Sequence, residues 1–467
     1  MTSERSGNEA WRIERNGINR IPVQEQTGRP SELFWIWFAA NLGILGLLYG
    51  TILVSYHLNF IQSLLAAVLS AMSFLLVGVL SVSGRNSGLP MFSVSRYVFG
   101  GLGNLPLVLI SWVNLLGWES VTAITATLSL EALLQTLFAV HAGLTWMSLS
   151  LLIFLLLTGS FGLLGHATLV LVQRLAAWAL GVLTAVIGVF LVAASDWHAV
   201  FQQPSANWVS GFLPAVSILL AGTGISWVNV AADYSRYQSR QHRTTALVSA
   251  VTLGAGIPVM SLIMIGFLVS AGHPEVGSSN NPVLALGQGL PKWMIIPYLL
   301  TAVGGLAAET DLSLYSSGLN LLTLGLRVAR YKTILIDAVV MLGLTGYFLF
   351  VHQSLLGPFE SFLTAMGLGL AAWAGVFVVD WMRADTNNTR DLSRDFRGLD
   401  RPIPSVRWKS IFSWITGIAL GMSFSDFGVY KGVFAQGPFY DSGLGVSLAF
   451  LVSVVVHWGL LSLSRKR

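Results

Sequence analysis

Twelve long apolar runs dominate this chain, and most approach the length of about 20 residues that a helix needs to cross a bilayer. Only 10% of the residues are charged, whereas a soluble domain carries about 25%. We therefore predict an all-α integral membrane protein with twelve transmembrane helices in a lipid bilayer. The predicted spans are 33–56, 60–82, 101–134, 144–164, 168–194, 209–231, 245–271, 292–325, 334–351, 359–382, 410–425 and 443–463.

Basic residues follow the alternation that these spans impose. Of the 26 Lys and Arg residues, 24 fall in the termini or at connections on one side of the membrane, with Lys292 and Lys431 as the exceptions. Cytoplasmic segments carry the excess of Lys and Arg. The pattern predicts a multi-pass protein of a prokaryotic plasma (inner) membrane with both termini in the cytoplasm. It also accounts for the net charge of +5 without a nucleic-acid partner.

The connections are too short to hold a separate soluble domain, so the chain is predicted to form one membrane unit. The first residues are polar and are expected to be a largely disordered tail. The predicted parts are a cytoplasmic tail 1–32, a transporter core 33–383, a cytoplasmic linker 384–409, two accessory transmembrane helices 410–463 and a cytoplasmic C-terminus 464–467.

The residue types present argue against several classes of site. The chain has no cysteine, which excludes disulfide bonds, thiolate metal sites and cysteine nucleophiles. No nucleophile, base and orienting group can be recognised together, so nothing predicts an enzyme. We expect no cofactor and identify no certain metal site.

Two spans are interrupted near their middle. Span one contains Asn41, Gly43 and Gly46, and span six contains the run GTGISWVN at 222–229. Such residues permit unwinding where the freed backbone groups face protein or a water-filled cavity. Because spans one and six cross in opposite directions, a repeated five-helix unit would be inverted, and discontinuous helices then form a substrate site at the midplane. The alternative is that the glycines only permit close helix packing.

Five motifs in order carry a family resemblance. They are FWIWFAANLGILGLLYG in span one, SGRNSGLPMFSVSRYVFGGLGNLP after span two, GWESV in span three, SWVNVAADYSRYQ in span six and LYSSGLNLLTLGLRVARYK after span eight. The chain resembles the nucleobase:cation symporter-1 family, most closely its purine–cytosine permease branch. The resemblance implies a LeuT-like 5+5 inverted repeat, about 33–194 and 209–383, followed by two further C-terminal helices.

The resemblance also implies a function. It is the import of cytosine, a purine or a similar heterocycle by alternating access coupled to a cation. We further expect the protein to work as a monomer. Other branches of the family make hydantoin, allantoin, uracil or thiamine alternative substrates. A passive channel or a substrate-sensing receptor on the same scaffold is an alternative of another class.

The family's substrate lies between an aromatic residue of span three and one of span six, which correspond here to Trp118 and Trp227. Indole faces suit a flat heterocycle, because stacking on a base contributes about 1–3 kcal/mol. Where the family usually offers an amide one turn later, this chain has Thr122, whose hydroxyl cannot replace the paired bonds of an amide. Further candidate contacts are Asn41, Ser226 and Asn229, any of which could instead cap unwound backbone. Ser313 is a candidate because the permease branch commonly has an Asn facing the substrate at that point.

Span eight carries two acids, Glu309 and Asp311. In sodium-dependent relatives hydroxyls near this point face carbonyl groups of span one; here Ala308 and Glu309 replace the hydroxyl pair. Ionisable groups inside a membrane are functional by default, so Glu309 is predicted to carry a proton, to bind sodium near Gly305 and Ala308, or to act structurally. Asp311 lies about 200° further round the helix and is predicted to point elsewhere. Glu119, beside Trp118, is a third coupling candidate.

Overall fold

The computed structural model of the protein describes residues 10–463 apart from residues 15, 142, 274, 275, 277, 278, 280, 281, 352–355, 386–401, 429 and 440–442. The start of the predicted tail, most of the predicted linker 384–409 and the predicted C-terminus 464–467 lie outside the described residues.

The described residues fold almost entirely into helices. The α-helices are α1 Pro30–Ala40, α2 Leu45–Ser55, α3 Phe60–Ser87, α4 Met91–Phe99, α5 Leu105–Phe138, α6 Leu144–Leu163, α7 His166–Ala194, α8 Trp197–Gln202, α9 Leu213–Gly222, α10 Gly224–Trp227, α11 Ala231–Ser235, α12 Thr244–Gly272, α13 Pro282–Leu286, α14 Ile295–Leu324, α15 Arg330–Phe350, α16 Leu356–Asp385, α17 Trp408–Ser423 and α18 Gly445–Leu463.

Ten of the described helical segments are long and apolar enough to cross a membrane, and α1 with α2 forms an eleventh span bent by 59°. The sixth span, Trp208–Ser235, includes α9, α10 and α11. The remaining predicted span, 410–425, corresponds to α17, which has 16 residues. Since a spanning helix needs about 20 residues, a count of twelve stays a prediction.

The predicted interruptions of spans one and six are both present. Helix α1 ends at Ala40, and the Nδ2 of Asn41 donates to the carbonyl oxygen of Trp37 at 2.8 Å. In span six the helix breaks at Thr223, whose φ and ψ are −111° and −114°. Gly222 is required there, because a Cβ at this position would lie 2.6 Å from the Tyr49 hydroxyl oxygen.

The packing of the helices follows the predicted repeat. Span two packs against span seven through α3 and α12, and span three packs against span eight through α5 and α14. Span one contacts span seven through α2 and α12, as span six contacts span two through α11 and α3. Spans one to five correspond to spans six to ten in a repeated five-helix unit. Under this correspondence the contact of span one with span seven becomes the contact of span six with span two, as two equivalent units require. The boundaries 33–194 and 209–383 remain predictions.

The segment 10–28 differs from the expected disordered tail. Glu14 is 2% exposed and Ile21 is fully buried against the end of the bundle where span one begins. The backbone N–H of Ile21 donates to the carbonyl oxygen of Gly88 at 2.9 Å. The polar composition that suggested disorder instead serves buried hydrogen bonds, which hydropathy alone does not reveal.

Glycines allow the backbones of spans one and seven to come into contact. A Cβ on Gly266 of α12 would lie 2.0 Å from the carbonyl oxygen of Leu47 in α2. We expect Gly266→Ala to lower stability by about 1–3 kcal/mol through overpacking, read as a lower apparent melting temperature of the purified protein in detergent.

The matched control is Gly343→Ala in α15, where an added Cβ meets no atom within 4 Å. Alanine favours a helix over glycine, so this variant should melt no lower than the parent. Equal melting temperatures for the two variants would contradict the close contact of α2 with α12.

Candidate substrate and ion site

Trp118 of α5 joins span three to the break of span six. Its indole N–H donates to the hydroxyl oxygen of Ser226 in α10. The amide of Asn114, one turn earlier on α5, donates to the carbonyl oxygen of Ser226 at 3.3 Å and accepts from its hydroxyl at 3.4 Å. Two predicted contacts, Trp118 and Ser226, are therefore brought together.

Trp118 belongs to an aromatic cluster with side chains from spans one and ten. Phe359 and Phe362 of α16 meet its ring edge-on, with centroid distances of 5.5 and 6.3 Å. Phe359 also stacks on Tyr49 of α2 at 6.4 Å, and the Tyr49 hydroxyl donates to the carbonyl oxygen of Gly222 at 2.9 Å. The sequence did not predict this cluster, because it does not show which helix faces Trp118.

Trp227, the second predicted aromatic contact, follows Ser226 directly and is 6% exposed. Its ring meets Trp37 of α1 edge-on, with centroids 5.5 Å apart. Trp37 in turn meets Phe74 of α3 and Tyr234 of α11 edge-on. Both predicted tryptophans therefore lie inside the bundle rather than at its periphery.

Thr122 and Asn41 use much of their hydrogen-bonding capacity within the protein. The Thr122 hydroxyl lies 2.9 Å from the carbonyl oxygen of Trp118 and 2.7 Å from the Thr310 hydroxyl. The Asn41 amide donates to α1, as described above. Ser313, on α14, is 1% exposed. A substrate contact by Thr122 would require it to leave Thr310 or its own helix.

Asn229 lies apart from the tryptophans, at a junction of three spans. Its Nδ2 donates to the hydroxyl oxygen of Ser111 in α5 at 2.8 Å, and so does the Nδ2 of Asn320 in α14, also at 2.8 Å. The Oδ1 of Asn229 is buried without a described hydrogen-bond partner. Ser111 was not predicted as functional, because a single serine in a long apolar helix carries no distinguishing pattern.

Glu309 lies beside the break of span one. Its Oε2 is 3.3 Å from the position that a Cβ on Gly43 would take. One turn earlier on α14, Gly305 packs against Gly43 and the carbonyl oxygen of Leu42, each 3.0 Å from where its own Cβ would stand. Glu309 accepts no hydrogen bond from a described residue. The adjoining C-terminus of α1 carries partial negative charge, so this arrangement favours a proton or another cation.

Two oxygen atoms of α14 next to Glu309, the Ala308 carbonyl and the Thr310 hydroxyl, are engaged within the protein. The carbonyl oxygen of Ala308 accepts a hydrogen bond from Nε2 of Gln173 in α7 at 2.7 Å. The Thr310 hydroxyl donates to the carbonyl oxygen of Leu306 at 2.8 Å and pairs with Thr122. Of the predicted sodium region, this leaves the Glu309 carboxylate as the side-chain oxygen donor.

The other two acids face different surroundings. Both carboxylate oxygens of Glu119 are buried without a described hydrogen-bond partner, as is Oδ1 of Asp311. Glu119 interacts electrostatically with Asp337 of α15, which accepts a hydrogen bond from the indole of Trp112 at 2.9 Å. No described contact joins Glu119 or Asp311 to Glu309.

A cavity of ≈ 620 Å³ lies between α1, α7 and α12 and reaches Leu42 at the break of span one. Its lining is apolar except for Thr184 and Ser261, and includes none of the predicted substrate contacts. A heterocycle with several polar edges needs precisely placed hydrogen-bond partners. The cavity is therefore a poorer candidate than the surroundings of Trp118 and Trp227.

The comparisons with known proteins agree with this geometry. Residues 20–452 match the family model described as permease for cytosine/purines, uracil, thiamine, allantoin. The putative purine-cytosine permease YxlA of Bacillus subtilis (strain 168) is 24% identical over 445 residues, which cover 91% of each chain. The match confirms the family resemblance predicted from the five motifs.

Two solved structures share the fold. Mhp1, a nucleobase-cation-symport-1 family transporter in a closed conformation with bromovinylhydantoin bound, gives a TM-score of 0.71 at 18% identity, covering 96% of this chain and 95% of that one. A Na⁺-coupled sialic acid symporter in a substrate-bound outward-open state gives 0.63 at 11% identity, covering 95% and 91%. The predicted LeuT-like fold is thereby confirmed.

The junction at Ser111 yields a stability prediction. Ser111→Ala leaves the buried amide donors of Asn229 and Asn320 without their acceptor. An unsatisfied buried donor costs about 1–3 kcal/mol, but hydrogen bonds between membrane helices average about 0.6 kcal/mol. We expect a loss of about 1–2 kcal/mol, seen as a lower apparent melting temperature in detergent.

Ser160→Ala serves as the control, because the Ser160 hydroxyl is exposed and donates only to the carbonyl oxygen of Leu156 in its own helix. It should melt close to the parent. If Ser111→Ala has the same apparent melting temperature as Ser160→Ala, the junction does not hold the three spans together.

Proposed function

This chain belongs to the family of permeases for cytosine and purines, uracil, thiamine and allantoin, and on that premise we propose that it imports a nucleobase, cytosine or a purine, by cation-coupled alternating access. The observation that carries the proposal is the contact between Trp118 and Ser226. It brings an indole of span three to the interrupted part of span six, next to Trp227. Two broken helices meeting near the midplane are where secondary transporters of this architecture bind substrate.

The aromatic residues supply most of the proposed binding energy. Stacking tolerates many bases, because every base presents a flat face. Asn114 and Ser226 offer an amide and a hydroxyl next to the indole of Trp118. We propose that substrate replaces some of their mutual hydrogen bonds, while Phe359 and Phe362 cover the indole edge.

A binding measurement tests the role of Trp118. Trp118→Ala should weaken binding of the preferred nucleobase by about five- to 150-fold, the equivalent of about 1–3 kcal/mol of stacking. Titration calorimetry with cytosine, purines, uracil, allantoin and hydantoin, with and without sodium, identifies that ligand and measures the loss.

Trp118→Phe keeps an aromatic face but removes the indole N–H, and should retain most of the affinity. Trp408→Ala, at a tryptophan that is 75% exposed, should bind as the parent does. Unchanged affinity in Trp118→Ala would overturn the proposed site. Binding of allantoin or hydantoin instead of nucleobases would keep the site but change the substrate.

We propose that Glu309 couples transport by carrying a proton. Burial disfavours the charged form of a carboxyl group, and Glu309 lies next to Gly43 without a hydrogen bond from a described residue. A proton requires no further ligands, whereas sodium requires several oxygen donors. The engagement of Ala308 and Thr310 by Gln173 and Thr122 favours the proton.

Glu309→Gln mimics a permanently protonated side chain. We expect it to abolish concentrative uptake of substrate and its pH dependence while leaving exchange of labelled for unlabelled substrate. The measurement is uptake into proteoliposomes across a pH series, in sodium and in choline.

Asp196→Asn is the control, since Asp196 is exposed and caps α8 through backbone N–H groups, which asparagine also does. It should transport as the parent does. Parental pH dependence in Glu309→Gln would remove the proton role, and uptake lost in choline would assign coupling to sodium.

The setting of the proposed transporter follows from the charges. We propose a plasma-membrane protein with both termini in the cytoplasm, because 24 of the 26 basic residues lie on the corresponding side. We also propose that it works as a monomer, which the charges do not bear on. A catalytic role and a nucleic-acid partner form no part of the proposal. Concentrative uptake distinguishes the transporter from a channel, and any net transport distinguishes it from a receptor.

A further inference from the structure

Glu14, in the segment before the first helix, has a fully buried side chain surrounded by hydrogen-bond donors. Its Oε1 forms an ion pair with Arg236 at 2.8 Å, with both side chains fully buried. The same oxygen accepts from the Tyr237 hydroxyl at 2.6 Å, and Oε2 accepts from the backbone N–H of His166 at 3.1 Å. A surface tail does not require such a set of partners.

Arg236 is held from several sides at once. Its guanidinium also donates to the carbonyl oxygen of Gly17 at 2.6 Å and to the Tyr315 hydroxyl at 2.7 Å. Arg236 follows α11 at the end of span six, whereas Tyr315 lies in span eight. The ion pair therefore connects the segment with two different spans.

A second attachment lies further along the segment. Nε2 of Gln26 donates to the carbonyl oxygens of Arg85 and Arg236, at 2.9 and 2.8 Å. Its Oε1 accepts from Nε of Arg240 at 3.0 Å. Arg85 belongs to α3, so this attachment joins the end of span two to the end of span six.

The segment thus bridges helices that pack in separate groups. Spans two and six pack together through α3 and α11, whereas span eight packs with span three through α14 and α5. Segment 10–28 contacts both groups, and it also contacts the turn before α7, where Gly165 donates to the carbonyl oxygen of Arg12. Alternating access requires the groups to separate at each end in turn.

We propose that the described residues 10–14 and 16–28 form a latch that holds this end of the transporter closed, with Glu14 as the gating residue that must leave Arg236 before substrate can exit. The inference rests on the proposed function only in requiring that the two helix groups separate. Next to Tyr315, the Ser316 hydroxyl of span eight donates to that of Tyr234 in span six, and Ser226 of the proposed site lies earlier in span six.

Electrostatics keep the latch closed at neutral pH. Burial alone would raise the pKa of the Glu14 carboxyl group, but Arg236, Arg330, the Tyr237 hydroxyl and His166 together lower it below its ordinary value. Burial would lower the pKa of Arg236, but the Tyr315 and Tyr237 hydroxyls and Glu14 raise it. Both groups therefore remain ionised, and the latch opens by movement rather than by titration near neutral pH.

Losing one partner of a buried pair leaves an uncompensated charge, which is strongly destabilising. Removing the Glu14 charge destabilises the closed state more than the open state, because Arg236 gains access to water when the segment leaves. Glu14→Gln should therefore shift the population towards the state that is open at this end.

The absence of cysteine from the chain allows a direct test by thiol labelling. The reporter is Ser316→Cys, at a residue that is fully buried behind the latch. Inside-out membrane vesicles are treated with a membrane-impermeant maleimide, without substrate. Adding Glu14→Gln to the reporter should raise the labelling rate about tenfold or more.

Glu131→Gln on the same reporter is the matched control. It removes the same charge at the other end of α5, where Glu131 accepts from the backbone N–H of Gly143 and glutamine can still accept. Its labelling rate should equal that of the reporter alone.

Tyr315→Phe provides a second, milder variant if Glu14→Gln does not fold. It removes only the hydroxyl that bonds to both Arg236 and Glu14, and should accelerate labelling by a smaller factor. Unchanged labelling in the folded Glu14→Gln variant, or in Tyr315→Phe when the former does not fold, would overturn the latch. Because no substrate is added, the outcome is independent of the proposed substrate and ion.

Discussion

A helix that breaks inside a membrane must find new partners for its freed backbone groups, because lipid offers none. Span six meets this requirement with side chains from three other helices. The Ser73 hydroxyl of α3 accepts from the N–H of Gly224 at 2.9 Å, Tyr49 donates to Gly222 and Asn114 donates to Ser226. The break therefore fixes the positions of spans one, two and three, and with them the indole of Trp118.

The break of span one depends on span eight. Gly43 and Gly305 allow the two backbones to approach, and the approach brings the Glu309 carboxylate against the interruption. A larger residue at either glycine would move the acid away from the end of α1. Close helix packing and a functional site are therefore not alternatives at Gly43 and Gly305, because the close packing of spans one and eight creates the proposed ion site at Glu309.

The sequence predicts the fold well because spans, basic connections and helix breaks are local patterns. The interruptions at Asn41–Gly43 and at Gly222–Gly224 follow from residues that favour unwinding, and Asp311 is separated from Glu309 by helical geometry alone. Phe359 and Phe362 were missed because their role depends on which helix faces Trp118. Glu14 was missed for a similar reason, since its partners Arg236 and Tyr315 are 222 and 301 residues away along the chain.

That separation has a consequence for biosynthesis. Segment 10–28 leaves the ribosome before all the spans, yet Tyr315 follows only after span eight has begun. Glu14 must therefore remain in water or bind other partners while the first seven spans are inserted. Full docking of the segment therefore cannot precede the insertion of span eight, and it marks a chain in which spans of both repeats have already come together.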